Sequence, residues 1–275
     1  MSPLHRILNR GGVPIRYWLA GPEGAPTVIL THGATADHTT FDELVPALAE
    51  RYRVLSWDMP GHGLSQPMPA DFSIDRLVAD QLALMDEMGW ERAVLVGQSL
   101  GGNLAQEVVF RHPERVAGVA LIDSTDNFQK LSILEKATVK MAGPVFGLYP
   151  FDVAKRQAAE RSADTAEARR RLAAMFDRVQ SKEAYIRIFV VGTDLLHYEP
   201  DYRIPVPLLM IMGEHDGLGN IARAMPAMAK REGVALVVVP GAGHVANMDR
   251  PDVVNAEVLR FLGGLPLDRE PVPGH

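Results

Sequence analysis

Gly97-Gln98-Ser99-Leu100-Gly101 sets a serine between two glycines, where the apolar run Ala93–Val96 meets the helix-type segment Leu100–Arg111. A serine projected from so tight a strand-to-helix turn is held in a strained backbone conformation. It needs minimal side chains two residues to either side. Such a turn presents the hydroxyl at the carboxyl end of a sheet, where open α/β sheets bind ligands. It also leaves the Leu100 N–H at a helix N-terminus, aimed at negative charge developing on a reacting carbonyl. The chemistry suggested is nucleophilic attack by Ser99 on a carbonyl carbon.

A serine is a poor nucleophile at neutral pH without a base, and histidine is the usual one. Of nine histidines, His244 in Gly241-Ala-Gly-His244 alone follows a late apolar strand, Ala235–Val239, in a glycine-flanked loop. An acid must hold the imidazole in one tautomer and stabilise its cation. Asp216 in Gly213-Glu-His-Asp216-Gly217 follows the strand Pro207–Met212 and is the candidate; Asp123, after Val116–Ile122, competes with it. Glu214 and His215 read as solvated loop residues. A second oxyanion donor is expected from the loop His32-Gly33-Ala34-Thr35, with the Ala34 N–H as partner to Leu100. His32 reads as a residue that orients this loop.

The elements that position these groups alternate. Val13–Leu19 alternates weakly, and short apolar runs at Thr27–Thr31, Arg53–Trp57, Ala93–Val96, Val116–Ile122, Pro207–Met212 and Ala235–Val239 read as strands. Phe41–Glu50, Ile74–Met88 (with Ser73 as N-cap), Leu100–Arg111, Ile221–Lys230 and Val253–Leu262 have helical spacing. Continuous apolar strands alternating with amphipathic helices predict an α/β fold, a parallel sheet covered on both faces. The rhythm breaks over 126–203, where no core strand is visible and Leu131–Met141 and Ala154–Gln180 look helical. So long an insertion is read as a helical cap. The expected division is a catalytic core of 1–125 and 204–264, a cap of 126–203, and a tail of 265–275 rich in proline.

Composition removes other classes. There is no cysteine among 275 residues, so disulfides, thiolate metal sites and thiol nucleophiles are excluded. A net charge of −6 argues against a nucleic-acid partner. The one dense basic run, Arg169-Arg170-Arg171, reads as a solvated helix face. No apolar run approaches the ~18 residues of a membrane span, so no membrane partner is expected. Met1–Arg10 is basic with no apolar segment behind it, which predicts no signal peptide and a cytoplasmic location.

Taken together, these motifs resemble the α/β-hydrolase superfamily over residues 10–264, in which nucleophile, acid and base follow in the order Ser, Asp, His. Asp58-Met-Pro-Gly61-His-Gly63-Leu-Ser65 is similar to the family's turn after its fourth strand. The resemblance implies an eight-stranded, mostly parallel sheet with the cap inserted after the sixth strand. It implies Ser99 as nucleophile, Asp216 as acid, His244 as base, and Ala34 and Leu100 as oxyanion donors. The loop His-Gly-Ala departs from the His-Gly-Gly-Gly of hormone-sensitive-lipase-like esterases. A serine in place of the aspartate used by dehalogenases and epoxide hydrolases disfavours those activities. The family's C–C bond hydrolases add a cap arginine, for which Arg187 is a candidate.

The expected activity is that of a carboxylesterase-like serine hydrolase acting on small or medium apolar esters with water, as monomer or homodimer. It requires no metal or organic cofactor. A lactonase or C–C bond hydrolase on the same residues is the alternative, and a non-catalytic ligand receptor is a rival from another class. Phe146, Leu148, Tyr149, Phe151, Phe189 and Tyr198 from the cap, with Leu218 and Val245 beside the acid and the base, are candidate substrate-binding residues.

Overall fold

Alternation along the strands decides which residues face which layer. The structure is a computed structural model and describes residues 4–131, 150–194 and 196–267. Its eight strands are β1 (Leu4–Arg10), β2 (Val13–Ala20), β3 (Thr27–Thr31), β4 (Arg53–Trp57), β5 (Ala93–Gln98), β6 (Val116–Ile122), β7 (Leu208–Gly213) and β8 (Leu236–Val239). They form one sheet in the order β1-β2-β4-β3-β5-β6-β7-β8. The pairs β1/β2 and β2/β4 are antiparallel and every other pair is parallel. The β1–β2 hairpin turns through Gly11 and Gly12, both at positive φ, as a two-residue hairpin turn of type I′ requires.

Ile29, Leu55, Leu95, Leu121 and Met210 point to one face, where α2 (Ile74–Glu87), α3 (Leu100–Arg111) and α7 (Ile221–Glu232) cover them. Their chain neighbours Leu30, Val54, Val96, Ile122 and Ile211 point to the other, against α1 (Leu44–Leu48) and α9 (Pro251–Gly263). All ten are at most 1% exposed, so both faces of the central strands are dry. This is the two-sided burial that continuous apolar runs predict. Among the described residues no helix is long and apolar enough to cross a membrane.

Between β6 and β7 the described residues form α4 (Phe151–Ser162), α5 (Ala166–Phe176) and α6 (Lys182–Asp194), and no strand. The helix expected over Ala154–Gln180 is in fact two. Ala163 turns to φ −134°, ψ 149°, and the Thr165 hydroxyl then caps the Ala168 N–H at 3.2 Å, so Ser-Ala-Asp-Thr is a stop and a start. β1 and α6 add to the elements the sequence suggested. The insertion leaves and rejoins the core at one neck. There the His197 N–H donates to Asn127 O at 2.8 Å and the Glu199 N–H to Phe128 O at 3.2 Å. The helix expected at Leu131–Met141 lies, beyond its first residue, outside the described residues.

The basic run is not a plain solvated face. Arg170 is exposed and pairs with Glu167, but Arg171 reaches the core at Thr39 O, Asp42 and Glu43, and Arg169 holds Ala163 O. Arg178, at the end of the same segment, pairs with buried Asp37. Lysine and arginine stems of this length can cross an interface and still keep their charge paired.

Candidate active site

The turn after β5 is built by close approach. A Cβ on Gly97 would sit 2.2 Å from Gly101 O, and one on Gly101 would sit 2.0 Å from Thr31 O. Only glycine fits either place. The Ser99 N–H donates to Ile122 O at 2.9 Å as a last rung of the β5–β6 ladder, and its carbonyl accepts the Gly102 and Asn103 N–H groups that start α3. Ser99 itself is left at φ 50°, ψ −118°. Among the described residues the non-glycine residues at positive φ are Thr35, Ser99 and Asp123. They lie past the carboxyl ends of β3, β5 and β6, so backbone strain gathers on one rim of the sheet.

His244 and Asp216 come to that rim on two loops fastened to each other. The Glu214 N–H donates to Val239 O and the His215 N–H to Ala242 O. A Cβ on Gly213 would meet Gly243 O at 2.0 Å. The Gln98 side chain adds a tie, its Nε2 donating to His244 O at 2.8 Å. The result is a continuous chain. Ser99 Oγ lies 2.9 Å from His244 Nε2, and His244 Nδ1 lies 3.0 Å from Asp216 Oδ2. A carboxylate only accepts, so Nδ1 carries the proton and Nε2 is free to take one from Ser99. Asp216 is fixed further by the Leu218 N–H on Oδ1. Burial by itself would lower the His244 pKa, but the hydrogen bond and charge of Asp216, with Asp123 beyond, outweigh it and hold the pKa above its ordinary value.

Asp123 does not bond His244. Its two oxygens accept the Gly213 N–H at 2.7 Å and the Ala246 N–H at 2.8 Å, so it braces the loop of Asp216 and the loop of His244 from beneath. Full burial, together with the Asp216 charge, pushes its pKa up to about 7 against the opposing pull of His244 and the two N–H groups. His32 holds the loop after β3. Its Nε2 accepts the Met59 N–H at 3.0 Å, so Nδ1 must be the donor to Gly33 O at 2.8 Å. Burial lowers its pKa and keeps this tautomer neutral. A Cβ on Gly33 would lie 3.2 Å from Ser99 Cβ, so that loop runs against the turn. The Ala34 and Leu100 N–H groups have no acceptor among the described residues. Two free donors beside a serine hydroxyl can hold an oxyanion.

The remaining sequence candidates divide. Val245 is buried in a cluster with Ala36 and with Ala159, Ala163 and Leu172 of the insertion. Phe189 is half-buried and packs on Tyr185, with ring centroids 5.0 Å apart; Phe151 packs on the same ring. Leu218 is half-buried beside Asp216. Tyr198 is 56% exposed, with the Lys130 ammonium over its ring. The Arg187 guanidinium donates to Ala70 O. Glu214 accepts the Gly241 N–H and His215 pairs with Asp164, so neither is simply solvated. Phe146, Leu148 and Tyr149 lie outside the described residues.

Asp37, His38 and Asp58 bring three potential metal-binding atoms within 4.8 Å of one another. Their donors are already committed. Asp58 accepts from His38 and the Leu64 N–H, and Asp37 from Thr39 and Arg178. Sequence reasoning passed over two residues near the reacting groups. Gln98 is one, and its place next to Ser99 was the available signal. Asp249 is the other: it accepts the Gly243 N–H at 2.9 Å.

The family model described as the alpha/beta hydrolase fold matches residues 26–251. Epoxide hydrolase A of Mycobacterium tuberculosis is 28% identical, over 97% of this chain and 99% of its own length. The 2-(acetamidomethylene)succinate hydrolase of Mesorhizobium japonicum is 26% identical, over 86% of this chain and 88% of its own. The crystal structure of the enol-lactonase from Burkholderia xenovorans LB400 superimposes with a TM-score of 0.76 at 25% identity, covering 94% of this chain and 100% of that one.

Proposed function

The chain belongs to the α/β-hydrolase fold family, and from that premise we propose that it is a serine hydrolase cleaving carboxylic esters of small or medium apolar substrates. The observation that carries this reading is the unbroken chain from Ser99 Oγ through His244 to Asp216. Ser99 attacks the ester carbonyl while His244 Nε2 takes its proton, and the Ala34 and Leu100 N–H groups hold the oxyanion. His244 then protonates the departing alkoxide, and an acyl group stays on Ser99. A water molecule, deprotonated by the same nitrogen, releases the acid. Asp216 stabilises the imidazolium throughout. The insertion, as a cap, roofs the pocket, with Phe189, Leu218 and Val245 as its apolar lining.

A hydroxyl nucleophile also separates this reading from epoxide opening. Serine attack on an epoxide would leave an ether that water does not cleave, whereas a carboxylate would leave a hydrolysable ester. The second reading is a lactonase, which uses the same steps on a cyclic ester; the likeness to an enol-lactonase along almost the whole chain favours it.

The test is a burst experiment with p-nitrophenyl esters of rising chain length, run beside a lactone panel. One equivalent of p-nitrophenol per enzyme, lost in Ser99→Ala, is expected. Full turnover by Ser99→Ala would overturn the reading, and lactones turned over in preference to every ester would select the second.

A further inference from the structure

Asp249 is a buried carboxylate, 5% exposed, that takes no part in the Ser99–His244–Asp216 chain yet touches both sides of the site. It lies in the short helix α8 (Ala246–Asp249). Its Oδ2 accepts two backbone N–H groups at 2.9 Å, from Gly243 and from Asp164, and its Oδ1 accepts the Thr165 N–H at 2.8 Å. Gly243 immediately precedes His244. Asp164 and Thr165 form the turn between α4 and α5, some eighty residues earlier in the chain. A carboxylate that accepts three such donors is fixed in position.

Three further contacts place the same turn on the two loops of the site. A Cβ on Gly243 would lie 3.0 Å from Ser162 O and 3.3 Å from Ala163 Cα. The Asp164 carboxylate meets His215 Nδ1 at 2.5 Å, one residue from Asp216. Val245 and Met248 pack with Ala159 of α4, Ala163 of the turn, and Ala168 and Leu172 of α5. The turn therefore rests on the residues before and after His244 and on the neighbour of Asp216. A general base must keep its geometry closely, because a displacement of ~1 Å can cost about 10²-fold in rate.

We propose that Asp249 is a positioning residue that locks the His244 loop to the α4–α5 turn, so that the base and the roof of the substrate pocket are set as one unit. This rests on Ser99 and His244 acting as nucleophile and base. The groups facing His244 are Asp216 from the acid loop, Asp123 from the end of β6 and Ser99, with the Asp164–His215 pair further out. Loosening the lock lengthens the Asp216–His244 contact that keeps the imidazole basic.

The experiment measures the rate at which diisopropyl fluorophosphate modifies Ser99 as a function of pH, read by intact mass and peptide mapping. In that reaction Ser99 Oγ displaces fluoride and its proton passes to His244, so the rate reports the base without needing the natural substrate. Asp249→Asn turns an NH₂ group toward at least one of the three N–H donors. It is expected to label about tenfold more slowly, with the acid midpoint of the rate moved to lower pH. Thr165→Pro removes one donor on the insertion side alone; at φ −87° and ψ 144° the site is close to what proline adopts. It is expected to change the rate and midpoint in the same direction by a smaller factor. Thr165→Ala keeps that N–H and loses only the helix cap, and is expected to label as wild type does.

Circular dichroism checks that each variant is folded, and if Asp249→Asn is not, the Thr165 pair still decides. Wild-type rate and midpoint in Asp249→Asn, or Thr165→Pro behaving as Thr165→Ala does, would overturn the lock. Failure of the wild-type protein to label at Ser99 would instead overturn the serine-hydrolase reading beneath it.

Discussion

Asp123 and Asp216 are the same residue type at the carboxyl ends of adjacent strands, both buried, both within reach of the His244 loop. Their partners separate them. Asp216 gives one oxygen to the imidazole and one to the N–H of its own loop. Asp123 gives both oxygens to backbone N–H groups, one on each neighbouring loop. A carboxylate aimed at an imidazole tunes a base. One aimed at two amides sets the distance between the loops of Asp216 and His244. Position at a strand end makes an aspartate available for either task, and the local backbone decides which.

The largest expected effect that would break this contrast is on Asp216. Asp216→Asn should lower kcat by about 10³–10⁴-fold, as loss of the orienting acid does elsewhere. An equal loss in Asp123→Asn, with Asp216→Asn near normal, would mean the roles are reversed. Asp123→Asn should keep most of its rate and lose about 1–3 kcal/mol of stability, because one braced N–H is left facing an amide; urea unfolding measures this.

A smaller effect sharpens the contrast through pH. His244 is held above its ordinary pKa, so the acid limb of kcat/KM should fall above the pH expected of a free imidazole, and should move down in Asp216→Asn. Smallest is a stability difference. The folded Asp123 carboxyl holds its proton up to about pH 7, whereas in the unfolded chain it lets go near its ordinary value of 3.8. The stability that comes from this proton is fully present below about pH 4 and is lost as pH rises to about 7. The gap between wild type and Asp123→Asn should therefore narrow across that window.

The residues of the candidate site were legible where chemistry demands a local pattern. Gly97 and Gly101 announce the turn at Ser99 because any side chain there would strike backbone. Asp216 and His244 were marked by glycines and by the strands before them. The sequence could order Asp216 ahead of Asp123 only by analogy, since the difference lies in which N–H groups lie within 3 Å. Less was legible where partners are far apart. Leu4–Arg10 is an edge strand whose exposed, basic residues lack an apolar face. The break between α4 and α5 hid inside one alanine- and arginine-rich run, where Thr165 caps α5 and the distant Asp249 accepts the two N–H groups of the turn, a partner no local periodicity reports. Arg171 looks like its exposed neighbour Arg170 until its partners Asp42 and Thr39 are in view.

The neck at Asn127–Phe128 and His197–Glu199 has an evolutionary reading. Two backbone hydrogen bonds hold the entering and leaving chains side by side where the insertion meets the core. A segment of another length and shape can be transplanted there without shifting the register of β6 against β7. The transplant carries obligations to the core, among them a pair of amides to meet Asp249 and a cation to meet buried Asp37. On the proposed serine-hydrolase reading, exchanging such a module would redesign what the rim accepts while Ser99, His244 and Asp216 are inherited unchanged.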